Sequence, residues 1–96
     1  MSNVNFETAT IIKREIRHHI ATTLDQKPLL QYSIDQLPLI FELKTLVIHG
    51  RIYQISPNEI LVELDNLVER KLVARVEDEN VIFLTQAGIN YARSRK

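Results

Sequence analysis

The chain contains no cysteine and no tryptophan, and it has only two glycines and three prolines among 96 residues. Without cysteine it has no disulfide, thiolate metal site or cysteine nucleophile, which favours a reducing compartment, and we expect a cytoplasmic location. Two glycines cannot build a glycine-rich phosphate-binding loop. No apolar run approaches the roughly 18 residues that span a bilayer, and residues 1–6 lack the pattern of a secretory signal.

The remaining composition is typical of one globular domain, with 45% apolar and 25% charged residues. A chain of this length buries only about 60 to 65% of its unfolded surface, so we expect a homodimer to add burial. Twelve basic residues balance twelve acidic ones, for a net charge of zero. The chain therefore lacks the positive field expected of a nucleic-acid-binding domain.

Apolar periodicity predicts the first two helices. Five residues near the start follow helical spacing: Ala9, Ile12, Ile16, Ile20 and Leu24. This stripe predicts a helix over residues 5–24. A second helix is predicted over residues 35–49, because Asp35 is a suitable N-cap, Pro38 is tolerated in a first turn, and Gly50 can end a helix.

The third helix has the strongest local signal. Ser56-Pro57-Asn58-Glu59 combines an S-x-x-E capping box with proline at the first helical position, and predicts a helix over residues 57–71. Its predicted buried face consists of Ile60, Leu61, Leu64, Leu67 and Val68, and its predicted outward face consists of Glu59, Val62, Asn66 and Glu69. An outward valine is either a lone exposed residue or part of a contact surface.

The C-terminal third alternates between strand and helix signals. Residues 72–76 and 81–84 are β-prone and enclose a polar run, which predicts a hairpin over residues 72–84. A last short helix is predicted over residues 86–94. The predicted fold is therefore mainly α with a small β-hairpin, in a single domain of residues 1–96 in which residues 1–24 are a candidate dimerisation helix.

Two segments of this region carry a resemblance. A leucine-rich helix ends in Lys71-Leu72-Val73, and a hairpin follows that finishes in Leu84-Thr85-Gln86-Ala87-Gly88. Over residues 56–92 the chain resembles winged helix-turn-helix regulators of the MarR, PadR and ArsR-like groups. The resemblance implies a DNA-binding transcriptional regulator, with residues 57–71 as recognition helix and residues 72–84 as wing. Residues 25–51 depart from the pattern, because the second helix is unusually hydrophobic and the connection to the third is longer.

The resemblance also implies which residues contact double-stranded DNA. The residues expected to contact the nucleic acid or another partner are Asn58, Glu59, Val62, Glu63, Asn66, Arg70 and Arg75. The tip of the wing is expected to lie beside the DNA backbone. The positive charge of the chain lies elsewhere, on the first helix and the tail; if these two segments share one face, the residues expected to contact phosphates are Lys13, Arg14, Arg17, Arg93, Arg95 and Lys96. Asparagine can read adenine edges and glutamate can accept from cytosine, but such contacts specify a sequence without supplying most of the affinity.

The charge distribution supports an alternative. Residues 57–72 hold four acids (Glu59, Glu63, Asp65 and Glu69) against Arg70 and Lys71, so this helix has a net charge of −2. The wing holds Glu77, Asp78 and Glu79 against Arg75, which again gives −2. Because DNA affinity comes chiefly from cationic contacts to phosphates, the alternative is a protein-interaction module that presents its acidic recognition helix and acidic wing to a basic protein surface.

Other chemistry has little support in the sequence. His18 and His19 are adjacent, so on a helix their side chains point about 100° apart, and neither they nor His49 has another histidine at a helical spacing of four. No catalytic triad order or paired-carboxylate pocket is evident. We therefore predict no enzymatic activity, no metal site and no cofactor.

Overall fold

The computed structural model describes residues 5–33 and 35–94. In chain order its elements are α1 (Phe6–Gln26), β1 (Leu30–Gln31), α2 (Leu37–Ile40), β2 (Thr45–Ile48), β3 (Arg51–Gln54), α3 (Pro57–Glu69), β4 (Val73–Val76), β5 (Val81–Leu84) and α4 (Gln86–Arg93). A single 3-10 turn, Glu77–Glu79, joins β4 to β5. The prediction of a mainly α fold with an antiparallel hairpin is confirmed.

The three longer helices each begin at a side chain that caps them. The Asn5 side chain accepts a hydrogen bond from the backbone N–H of Thr8. Ser56 and Glu59 form the full capping box predicted from the sequence, with hydrogen bonds of 3.2 and 2.9 Å. Thr85 caps α4 by accepting from the backbone N–H of Gly88. These caps satisfy N–H groups that lack partners within a helix, so the starting points of the helices are encoded locally.

The prediction of a single helix over residues 35–49 is wrong. Helix α2 covers a single turn and is followed by Glu42 in the left-handed region, at φ 52°. Strands β2 and β3 then form an antiparallel hairpin, the central hairpin, in which Val47 pairs with Ile52. His49 and Gly50 make its two-residue turn with φ of 54° and 78°, so Gly50 serves a hairpin turn rather than a helix end. Apolar residues in a short β-branched run fit either period, and here the strand period prevails.

A three-stranded antiparallel sheet has the order β1-β5-β4. Strands β4 and β5 form the predicted C-terminal hairpin, with Val73 opposite Leu84. The sequence pattern did not predict β1, which consists of two residues and pairs Leu30 with Ile82. Such a short edge strand leaves too few residues to show alternation.

The core lies where α1 packs against α3, α4 and β5. The most deeply buried large side chains are Phe41, Ile16, Ile20, Leu24, Leu37, Ile60, Leu64, Leu67, Ile82 and Val73. The predicted apolar stripes of the first and third helices supply most of this set. Among the described helices, none is both long enough and apolar enough to cross a membrane.

The Leu-Thr-x-x-Gly segment holds α4 against the end of α3. The Thr85 hydroxyl lies 2.8 Å from the carbonyl oxygen of Lys71 and 3.2 Å from that of Leu72. The backbone N–H of Thr85 donates to the same Leu72 carbonyl at 3.1 Å. A Cβ on Gly88 would stand 1.9 Å from that oxygen, so only glycine fits there. The motif thus has a packing role.

Candidate functional site

The exposed surface of α3 continues onto the end of the C-terminal hairpin. We call this surface the acidic face, and its exposed members are Asn58, Glu59, Val62, Asp65, Glu69, Glu77, Asp78 and Glu79. Arg75 of β4 links the two parts, because its Nη1 lies 3.4 Å from Oδ1 of Asp65. Val62 is 47% exposed between the acidic side chains. The acidic face therefore surrounds one apolar side chain with carboxylates.

The structure corrects the expected placement of Glu63. This residue is only 2% exposed, and its Oε1 accepts hydrogen bonds from Nη1 of Arg17 at 2.8 Å and from Nδ2 of Asn66 at 3.0 Å. It faces α1, since its helical position lies among the buried residues Ile60 and Leu64. Glu63 cannot contact a groove or an external partner in this arrangement.

The ion pair with Glu63 also corrects the prediction that Arg17 contacts a phosphate. Its side chain is largely buried and joins α1 to α3, so it is not available to a phosphate. In the sequence, Arg17 directly follows the apolar stripe residue Ile16, and Glu63 directly precedes Leu64. A base and an acid at the edges of two apolar stripes were the signal for a pair between the helices. Asn66, predicted to face outward, is partly buried and contributes to this cluster.

Arg93 also has an internal partner. Its Nε and Nη2 donate to the two carboxylate oxygens of Asp25 at 3.1 and 3.0 Å, which ties the end of α4 to the end of α1. The hydrogen bonds and charge of Asp25 raise the pKa of Arg93 above its ordinary value. This bidentate pairing uses the Nε and Nη2 donors of the guanidinium, which could otherwise bind a phosphate in the same way. Arg95 and Lys96 lie outside the described residues.

Three predicted contact residues are exposed, two of them on α1 and one directly after Glu69 of the acidic face. Lys13 and Arg14 lie on the first half of α1, and Arg70 is the C-cap of α3. Arg70 and the exposed Lys71 form a short basic step at the C-terminal end of the helix. The cations predicted to track phosphates are therefore divided between exposed residues and internal ion pairs.

A cleft of about 430 Å³ lies between α3, the start of α2, the residue that follows β1 and the C-terminal hairpin. Its lining is Tyr32, Leu37, Leu61, Asp65, Arg75, Glu77 and Asn80. Asn80 has a left-handed backbone, with φ 51°, that turns the chain from the 3-10 turn into β5. Asp65 and Glu77 belong both to this lining and to the acidic face, and Arg75 lies beside them in the cleft.

The three histidines occupy separate places. His18 contacts the ring of Tyr91 edge to face at 5.9 Å, His19 Nε2 contacts the carbonyl oxygen of Phe41, and His49 lies in the turn of the central hairpin. Within residues 5–33 and 35–94, no three histidine, aspartate or glutamate side chains are grouped so as to hold a metal ion. The histidines thus pack α1 against its neighbours or lie in solvent.

These observations define a mainly α domain with a small antiparallel sheet and one exposed surface dominated by carboxylates. Comparisons with protein-family models, characterised proteins and solved structures found no match to this chain.

Proposed function

We propose that this chain is a winged helix-turn-helix domain that binds a protein with a basic surface through the acidic face. The winged-helix assignment is supported by the order of elements at the C-terminal side. Helix α3 is followed directly by an antiparallel hairpin, and α4 starts within the Leu-Thr-x-x-Gly segment. This order agrees with the recognition helix and wing that the sequence resemblance implies.

The observation that carries the protein-binding function is the charge of the acidic face. Six of its members are acids, namely Glu59, Asp65, Glu69, Glu77, Asp78 and Glu79, and the neighbouring base Arg75 contacts Asp65. Protein interfaces commonly place apolar side chains within a polar rim, and opposite charges across the interface steer and select partners. The exposed Val62 and the carboxylates around it form such an arrangement of an apolar side chain within a polar rim.

Affinity capture with a charge-reversal variant tests the proposal. We expect Glu59→Lys/Glu69→Lys to reduce the recovery of basic partner proteins at least tenfold, because two attractive contacts become repulsive. The buried Glu63 is deliberately left unchanged. The control Glu7→Lys/Glu42→Lys reverses two exposed acids outside the acidic face, and it should recover partners as the natural chain does. Equal recovery by both variants would contradict a role for the acidic face.

The second candidate is a DNA-binding transcriptional regulator. Exposed Lys13 and Arg14 on α1 and the basic step at Arg70 favour it, together with the resemblance. Protein binding through carboxylates predicts no salt-sensitive DNA affinity, whereas phosphate neutralisation predicts a steep fall with salt.

Fluorescence anisotropy with labelled mixed-sequence duplex separates the two candidates. Under our proposal, titration at about 50 mM and about 200 mM salt detects no salt-dependent binding. Under the DNA candidate, affinity falls by orders of magnitude between these conditions, and Lys13→Ala and Arg14→Ala each lower the salt slope by about 1. The second pattern would replace the protein-binding proposal.

A further inference from the structure

The cleft between α3 and the C-terminal hairpin combines an apolar lining with charged groups. Leu37 is buried there, and Leu61 and the ring of Tyr32 are half-buried. Asp65 and Glu77 line the same cleft and are exposed. The volume of about 430 Å³ lies within the range of about 300 to 1,000 Å³ that is usual for ligand sites. The cleft can therefore hold a group that has an apolar body and a polar end.

The charges in the cleft do not balance. Its lining contains two acids, Asp65 and Glu77, and one base, Arg75. The contact of Arg75 with Asp65 is 3.4 Å long, against roughly 2.7 to 2.9 Å for a strong charge-assisted hydrogen bond, and the Asp65 side chain remains 64% exposed. In the part of the chain that the structure describes, Glu77 forms no ion pair. One carboxylate charge is thus uncompensated, and a ligand with a single positive charge neutralises it.

A long side chain with a cationic end matches this lining. Lysine and arginine both bury an aliphatic stem along apolar surface and keep the charge at its tip. Arginine matches the cleft better, because a planar guanidinium binds a carboxylate such as Glu77 through two parallel hydrogen bonds and stacks on an aromatic ring such as Tyr32. Arginine is also one of the residues that most often dominate the binding energy of protein interfaces.

We propose that this cleft receives an arginine side chain of the basic partner, which anchors the partner on the acidic face. The inference rests on the proposed function and names the group by which the partner is recognised. Asp65 and Glu77 belong to both surfaces, so an arginine in the cleft lies at the border of the acidic face. Arg75 repels the incoming cation and therefore limits the affinity of the cleft for it.

Titration of the isotope-labelled chain with N-acetyl-L-arginine amide, followed by two-dimensional NMR of the backbone amides, tests the proposal. We expect saturable shifts at Tyr32, Leu61 and Asn80 and none in the central hairpin. The citrulline analogue has nearly the same shape without the charge, and it is expected to bind at least tenfold more weakly. The lysine analogue is expected to bind more weakly than the arginine amide, because an ammonium lacks the planar pair of donors.

Three variants examine the charge balance. Glu77→Gln is expected to weaken binding of the arginine amide at least tenfold, because it removes the uncompensated carboxylate. The matched control is Glu79→Gln, an acid of the same 3-10 turn that does not line the cleft, and it should change the affinity less than twofold. Arg75→Gln removes the repelling base and is expected to strengthen binding. The amide spectra verify that each variant is folded.

The opposite results overturn the anchor. They are an absence of saturable shifts in the cleft, equal binding of the citrulline analogue, weaker binding by Arg75→Gln, or equal losses for Glu77→Gln and Glu79→Gln. If any of these is found while Glu59→Lys/Glu69→Lys still loses captured partners, the acidic face binds protein without this anchor. Capture that is unchanged in Glu59→Lys/Glu69→Lys contradicts the proposed function, and with it the partner, even if the arginine amide binds.

Discussion

Replacing Glu63 by alanine is expected to lower the free energy of unfolding by about 3 kcal/mol, because it leaves a largely buried guanidinium without its carboxylate. Arg17 has its 2.8 Å contact with this side chain, and Asn66 loses its acceptor in the same variant. Urea denaturation of the purified chain measures the effect as a lower midpoint with an unchanged slope.

The matched control removes both charges. Arg17→Met/Glu63→Leu fills similar space with apolar atoms and should recover most of the lost stability, since buried ion pairs are commonly replaceable by well-packed hydrophobic residues. A Glu63→Ala midpoint equal to that of the natural chain would mean that this pair does not hold α1 against α3.

Replacing Gly88 by alanine is expected to lower the free energy of unfolding by about 3 kcal/mol, through overpacking against a rigid backbone. Alanine ordinarily stabilises a helix by about 1 kcal/mol relative to glycine, so the predicted sign is opposite to the helix propensity. The cause is the 1.9 Å approach of the new Cβ to the Leu72 carbonyl oxygen, which is held by Thr85 and cannot easily withdraw.

Thermal unfolding followed by circular dichroism measures this loss. Ala87→Ser, at the exposed neighbouring position, is the control and should change stability by less than about 0.5 kcal/mol. A Gly88→Ala chain that is more stable than the natural one would show that α4 does not pack this closely on the end of α3.

The sequence predicted those parts of the fold that local interactions determine. The capping box at Ser56 and the spacing of apolar residues specify α1 and α3 without reference to the rest of the chain. Polar residues around Asp78 separated two β-prone segments and located the C-terminal hairpin. In each case the signal spans a few neighbouring residues.

The failures occurred where distant residues decide the structure. The run from Leu43 to Ile48 has apolar residues that suit a helix, but its pairing with residues 51–54 and its packing on α1 favour a strand. Strand β1 exists only because β5 is there to receive Leu30. Neither partner can be identified from a window of the chain.

For the candidate site, too, the features set by local helix geometry were predicted correctly and those set by a distant residue were not. Glu59 and Val62 face outward as helical geometry required. Glu63 was expected beside them, but its position at the edge of the buried face and the presence of Arg17 on a different helix draw it inward. Counting every acid of α3 therefore overestimated the number of exposed carboxylates, because Glu63 is buried. Counting every base overestimated the number of cations available to a partner, because Arg17 and Arg93 are in ion pairs.

The turn at His49 and Gly50 also bears on the order in which the chain folds. With both residues at positive φ, the turn has the twist that two paired strands require, and it joins partners no further apart than residues 45 and 54. Closing so short a loop costs little entropy, and isolated hairpins form within about 1 to 10 μs. Strand β1 must instead pair with β5 across a separation of 52 residues, from residue 30 to residue 82. The central hairpin is therefore expected to form early, while completion of the three-stranded sheet is the slower event.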